Sequence, residues 1–135
     1  QNDHGRLELD VVDRYGNRPV RIHFEEGGDL VAYDGHQRKV IGKYQPNRWY
    51  NIDIKIQANL SGNYSMSLDG KEVLKNAQLT EAVKSVERFS IRTGEYRNLP
   101  GRRTPNEDPE PPLPGADDPV KEAVFWVDDV RIGKK

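Results

Sequence analysis

Two stretches of this chain place carboxylates where an apolar strand pattern would not. In "FWVDDVRI", Phe125 and Val127 fall on one side of a regular strand and Val130 and Ile132 on the other, so the alternation slips by one residue at Asp128 and Asp129. A β-bulge at that point would return the four apolar side chains to one buried face and turn a carboxylate aside. A carboxylate turned aside in this way can face a ligand. The competing reading is that one Asp bonds backbone N–H groups or an Arg while the other is solvated. The second stretch is "ELDVVD", Glu8 to Asp13. Retaining glycoside hydrolysis needs two carboxyls a short distance apart across the scissile bond, whereas solvated strand charges need no ligand at all.

A second chemistry needs a cation to neutralise a uronate carboxylate and a His or Tyr to abstract the neighbouring proton. Arg92, Glu95, Tyr96 and Arg97 in "RTGEYR", with His23 or His36, are suitable residue types, though their spacing defines no site. No His-rich metal pattern, glycine-rich phosphate loop or Ser nucleophile elbow is present. A third chemistry is sugar binding, in which aromatic rings stack on apolar sugar faces and planar polar groups bond hydroxyls or carboxylates. Trp49 and Trp126 are candidates for the stacking platform, because each differs in parity from its apolar neighbours. Each could equally cover the edge of a sandwich. Tyr33 and His36, with Tyr96 and Arg97, form a second candidate set. Lys55, Arg88 and Arg92 would make a basic strip if their strands are neighbours, and would otherwise pair across strands with Asp53 and Glu87. Asn59 and Asn63 match the glycosylation sequon but sit around a turn where Asn is expected anyway.

These groups must be positioned by strands, for period-2 runs separated by turn residues dominate the chain. The spacing predicts strands over Arg6–Val12, Val20–Glu25, Leu30–Tyr33, Lys39–Lys43, Trp49–Gln57, Tyr64–Leu68, Lys71–Leu74, Glu87–Thr93 and Phe125–Ile132. "WYNIDIKIQ" is the clearest, with Tyr50, Ile52, Ile54 and Ile56 on one face and Trp49, Asn51, Asp53, Lys55 and Gln57 on the other. Asp69-Gly70 is the strongest hairpin signal, since both residues tolerate the positive φ of a two-residue primed turn. Leu79 to Val86 could hold one helical turn. The expected fold is all-β, an antiparallel two-sheet β-sandwich with one long Pro-rich loop. That loop spans 95–121, where seven of the chain's nine prolines fall, and a stretch of this length is either disordered or an ordered functional loop.

The chain's 135 residues suit one domain over 1–135. The start resembles mid-domain sequence, so strands of a parent protein are expected upstream. With 21 basic and 22 acidic residues the net charge is −1, which gives no overall field for nucleic acid or an anionic membrane. The absence of cysteine removes disulfides, thiolate metal sites and thiol nucleophiles.

The segments "QPNRWYNIDIKI", "GNYSMSLDGKEVL", "VERFSIRTG" and "FWVDDVRI" together resemble the concanavalin A-like, laminin G-type jelly-roll modules attached to bacterial polysaccharide-degrading enzymes. The likeness runs roughly from Val20 to Ile132. It implies a lectin-like jelly roll, secreted or periplasmic, that recognises a polysaccharide or oligosaccharide or acts as an accessory beside an adjacent catalytic domain. It also implies a structural calcium ion near the closing strand, at Asp128 and Asp129. "ELDVVD" is similar to the Glu-x-Asp-x-x-Glu run of laminarinase-like glycosidases, but ends in Asp13, one methylene short. The Gln-x-His strand and Tyr-Phe-Lys motif of jelly-roll alginate lyases are missing. The reading that results is a non-catalytic carbohydrate-binding or accessory module. Its alternatives are the catalytic portion of a polysaccharide lyase or glycoside hydrolase, and a purely structural β-domain.

Overall fold

The computed structural model describes residues 6–93 and 123–133. Eight strands form: β1 (Leu7–Val12), β2 (Val20–Phe24), β3 (Asp29–Asp34), β4 (Gln37–Lys43), β5 (Ile52–Gln57), β6 (Asn63–Leu68), β7 (Lys71–Gln78) and β8 (Arg88–Thr93). They make two antiparallel sheets, one of five strands in the order β4-β3-β2-β1-β8 and one of three in the order β5-β6-β7. The expected antiparallel sandwich is therefore the observed fold. The proline-rich stretch 95–121 lies outside the described residues.

Alternation fixes which face of each strand is buried. In β1, Leu7, Leu9 and Val11 stand opposite Phe24, Ile22 and Val20 of β2 on one side and Thr93, Ile91 and Phe89 of β8 on the other. Leu30 and Ala32 continue this apolar row into β3. The smaller sheet answers with Tyr64, Met66, Leu74 and Ala77, and Ile52, Ile54 and Ile56 of β5 pack at the side. Burying one such large side chain stabilises the fold by about 1.5–3 kcal/mol. Phe24 anchors the end of the core edge-on against Tyr44 and Tyr50, with ring centroids 5.2 and 6.3 Å away.

Hydrogen bonds also join the sheets. The buried Tyr64 hydroxyl on β6 donates to the Tyr33 carbonyl on β3. The Gln78 N–H at the end of β7 donates to Asp34 Oδ1 at 2.7 Å, and Gly35 N–H donates to the Gln78 carbonyl at 2.8 Å. The Asp69-Gly70 turn forms as its residue types require, with φ of 50° and 82°.

Two expected elements are absent among the described residues. Phe125–Ile132 forms no strand, and Leu79 to Val86 forms no helical turn. Asp129 adopts the left-handed conformation, φ 52°, but Val130 and Ile132 remain exposed, Ile132 at 76%. A bulge needs a neighbouring ladder to interrupt. Residues 125–132 join none, so the slipped alternation is not resolved into one buried face. The strand expected from Trp49 begins only at Ile52.

Candidate functional site

Two surfaces gather chemistry-bearing side chains. The first is a cleft of ≈ 1000 Å³ at the mouth of the sandwich, where the apolar interior opens between β5 and β8. Trp49 and Trp126 both line it, at 65% and 64% exposed, with Tyr50, Phe125 and Phe89 further in.

Trp49 projects from the segment between β4 and β5, whose shape is set by the hairpin turn of the same sheet. Asp69 Oδ1 accepts the Asn51 N–H at 2.9 Å, Oδ2 accepts Arg48 Nη2 at 3.0 Å, and the Asp69 N–H donates to the Asn51 carbonyl at 2.8 Å. The Arg48 guanidinium lies 4.6 Å from the Tyr50 ring centroid, and the Tyr50 hydroxyl accepts the Gln45 N–H at 2.7 Å. Both residues flanking Trp49 are thus held, while its indole faces solvent.

Asp128 and Asp129 also line this cleft. Both are exposed. Asp128 Oδ1 accepts the Asp129 N–H at 2.8 Å, and Asp129 Oδ1 accepts Arg131 Nε at 2.8 Å. As they stand, these two carboxylates make an incomplete donor set for calcium, with a guanidinium on one of them. No group of three or more His, Cys, Asp or Glu side chains assembles into a metal site among the described residues.

The second surface is the outward face of the five-stranded sheet, and it is charged and buried together. Glu8 and Asp10, two residues apart on β1, are each 1% exposed. Such burial is tolerated only for paired ions, and arginines supply the pairing. Arg6 lies 3.0 Å from Glu8 Oε1, Arg92 lies 2.9 Å from Glu8 Oε2 and also bonds Asp10, and Arg18 is 3.4 Å from Asp10 Oδ2. Burial raises the Glu8 pKa, an effect opposed by Arg6 and Arg92.

His23 stands directly across from Glu8 on β2. Its Nδ1 accepts Arg6 Nη2 at 2.8 Å, which assigns the proton of the neutral ring to Nε2. Its ring meets Tyr33 edge-on at 5.3 Å. Burial first, then the Arg6 charge, lowers its pKa to about 4. The third carboxylate of "ELDVVD" does not join this face. Asp13 closes the following turn, accepting the Tyr15 and Asn17 N–H groups and Asn17 Nδ2, each at 2.8 Å. Burial alone would raise its pKa, but these hydrogen bonds lower it.

The expected site residues therefore divide. Trp49 and Trp126 share the cleft with Asp128 and Asp129, whereas Tyr33 and Arg92 belong to the charged face. His36 is exposed in the β3–β4 turn and lines neither opening. Tyr96 and Arg97 lie outside the described residues. The basic strip does not form as drawn, because Lys55 is on β5 in the other sheet. Arg92 pairs across strands with Glu8 and Asp10, and Arg88 donates to the Asp13 carbonyl at 3.4 Å. Sequence reasoning missed Arg6, Arg18, Arg48 and Asp69. The parity of Glu8 and Asp10 signalled a shared face, but nothing local revealed which arginines would meet them.

Comparison with known proteins identifies this architecture. The family profile described as "Sialidase-like, CBM domain" matches residues 1–108. A solved structure titled "Sialidase" superposes with a TM-score of 0.67 at 25% identity, over 82% of this chain and 10% of that one. The chain thus spans about a tenth of the length of that sialidase. No curated protein matches. The chain belongs to the sialidase-like CBM domain family, a carbohydrate-binding β-sandwich.

Proposed function

We propose that this chain is a non-catalytic carbohydrate-binding accessory module of a secreted or periplasmic polysaccharide-processing protein, and that its polysaccharide lies against Trp49 and Trp126. The observation that carries the reading is the presence of two largely exposed indoles in one cleft, one of them held on both sides by Asp69 and Tyr50. Rigid exposed aromatics are costly to leave in water unless a ligand covers them, and sugar rings present matching apolar faces. Family membership supports a carbohydrate ligand, and the superposed sialidase is a chain long enough to hold such a module beside other domains. The adjacent catalytic domain, a kinship with the concanavalin A-like and laminin G-type jelly rolls, and a uronic acid-containing polymer belong to the same proposal. The exposed Arg88 guanidinium at the edge of the outward sheet face favours the acidic sugar.

The test is depletion of the purified chain from solution by a panel of neutral and uronic acid polysaccharides. Retention on one class is expected, reduced about tenfold or more in Trp49→Ala and in Trp126→Ala, in line with the ~1–3 kcal/mol that alanine substitution costs at an aromatic stacking platform. Retention unchanged in both variants would remove the cleft from the proposal.

A calcium ion at Asp128 and Asp129 is proposed as a structural element of this rim. The two carboxylates would supply part of the oxygen shell once Arg131 releases Asp129, with carbonyls and water supplying the rest. Millimolar calcium should then raise the melting temperature relative to chelator, and Asp128→Asn should abolish that rise. An identical melt with calcium and with chelator would count against the site.

A further inference from the structure

The outward face of the five-stranded sheet holds more hydrogen-bonding capacity than its own residues use. Among the described residues, four buried side-chain polar atoms on this face have no hydrogen-bond partner, Arg6 Nε, Asp10 Oδ1, Arg21 Nε and His23 Nε2, whereas Glu8 Oε1 is met by the Arg6 guanidinium at 3.0 Å. Buried polar groups in folded proteins are overwhelmingly paired, so a concentration of unpaired ones on one face points to a missing partner. A pocket of ≈ 480 Å³ opens beside them at the sheet edge. Asp10 lines it with Arg18, Arg88, Ser90 and Arg92. Strand pairing explains the grouping, since β8 sets Arg88, Ser90 and Arg92 at alternate positions opposite Val12, Asp10 and Glu8.

We infer that this pocket is a second sugar subsite, adjoining the tryptophan cleft at Arg88 and Phe89 but containing neither tryptophan, that reads the carboxylate of an acidic monosaccharide unit. Of the three guanidinium groups in the lining, Arg18 and Arg92 are held by Asp10 and Glu8, which leaves Arg88 as the cation that meets a ligand anion. Arg88 is exposed and, among the described residues, its Nη2 is held by a 3.4 Å contact with the Asp13 carbonyl, so its planar fork can turn to a ligand carboxylate. Asp10 adds the second half of the recognition. Its side chain is fully buried, its Oδ2 is held by Arg18 and Arg92, and its Oδ1 awaits a donor. A simple anion such as chloride or sulfate offers no donor to that oxygen, whereas a sugar acid brings hydroxyl groups next to its carboxylate. Ser90, opposite Asp10 in the ladder, can bond either kind of group. This assignment rests on the reading that the ligand is a sugar, but not on the tryptophan platform.

The experiment is a titration of the intact chain with glucuronic acid, its methyl ester and glucose, followed by backbone amide NMR shifts. The acid should bind about tenfold or more tightly than the ester or glucose, reflecting a charge-assisted bidentate contact. Shifts should be centred on Arg88, Ser90 and Asp10. Arg88→Ala should remove that preference while leaving the melting temperature unchanged, and Trp49→Ala should leave it intact. Equal affinity for acid and ester, no response to the acid, or a preference that survives Arg88→Ala would each overturn the inference. The polymer-depletion assay separates the two failures. If a polymer is retained through Trp49 and Trp126 while glucuronic acid shows no preference, the second subsite falls and the binding module stands.

Discussion

Glu8, Asp10 and His23 show how strongly single residues can be constrained by a face that is neither core nor open surface. Neutral His23 is encircled by charges, Arg6, Glu8 and Asp10 from the β1 side, Arg21 from β2 and Glu25 just after it, with the Tyr33 ring packed against it from β3. Its pKa in the fold, about 4, is below the 6.5 of an unperturbed histidine. A depressed histidine means the unfolded chain binds more protons than the native chain between those values. Stability from this residue is therefore complete above pH 6.5 and is lost as pH falls toward 4, by up to about 3 kcal/mol. Glu8 acts with the opposite sign, because its raised pKa lets the native state take a proton before the unfolded state does. Denaturant unfolding at pH 7.5 and pH 5 should show a loss of stability at the lower pH, and His23→Gln should flatten that difference. A slope unchanged in the variant would assign the pH dependence to other groups.

At the scale of elements, alternation made eight strands legible, because each has a neighbour that rewards its periodic pattern with burial. Tyr50, Ile52, Ile54 and Ile56 all reach the core from the expected face. The ninth pattern, Phe125–Ile132, slips out of alternation at Asp128 and Asp129 and forms no strand, since alternation states which faces match but not whether an edge is there to receive it. Strand order was likewise hidden. Leu9 and Ile91 are 82 residues apart in number but opposite in space, and it is this pairing that brings Arg92 to Glu8. The tryptophans were recognisable as candidates, but the residue that orders one of them was not. Asp69 was legible as a turn residue, and its carboxylate additionally fixes Arg48 and Asn51 across the sheet end. Asp69→Asn should preserve the left-handed turn, φ 50°, while replacing a charged acceptor. Polymer retention should fall severalfold with less than about 1 kcal/mol of lost stability, because hydrogen bonds to charged groups are the stronger ones. Asp69→Ala should lose more of both, since alanine opposes positive φ. Full retention in both variants would show that Trp49 needs no such support.

Across the whole molecule, the two proposed sugar-binding surfaces draw on different parts of the sandwich apart from Arg88 and Phe89, which line both. The cleft is bounded by both sheets, with Leu9 and Phe89 on one side and Ile54 on the other, so its width follows their separation. The charged pocket is built from β1, β8 and the β1–β2 turn, within one sheet and the turn beside it. Tyr64 is the natural lever to separate them. Fully buried on β6, it donates its hydroxyl across the core to the Tyr33 carbonyl, and burial raises its pKa so that the donor stays protonated. Tyr64→Phe keeps the ring volume but leaves that carbonyl without its donor, a loss of about 1–3 kcal/mol. The melting temperature should fall by about 2–8 °C for each kcal/mol lost in a domain of this size. The Gln78–Asp34 and Gly35–Gln78 hydrogen bonds remain to hold the sheets together, so the variant should still fold. Its polymer retention through Trp49 and Trp126 should weaken as the cleft loses its fixed width, while the preference for glucuronic acid over its ester should persist. Equal losses at both surfaces would mean that they respond to one global change in packing, and that the two sheets do not carry their ligands separately.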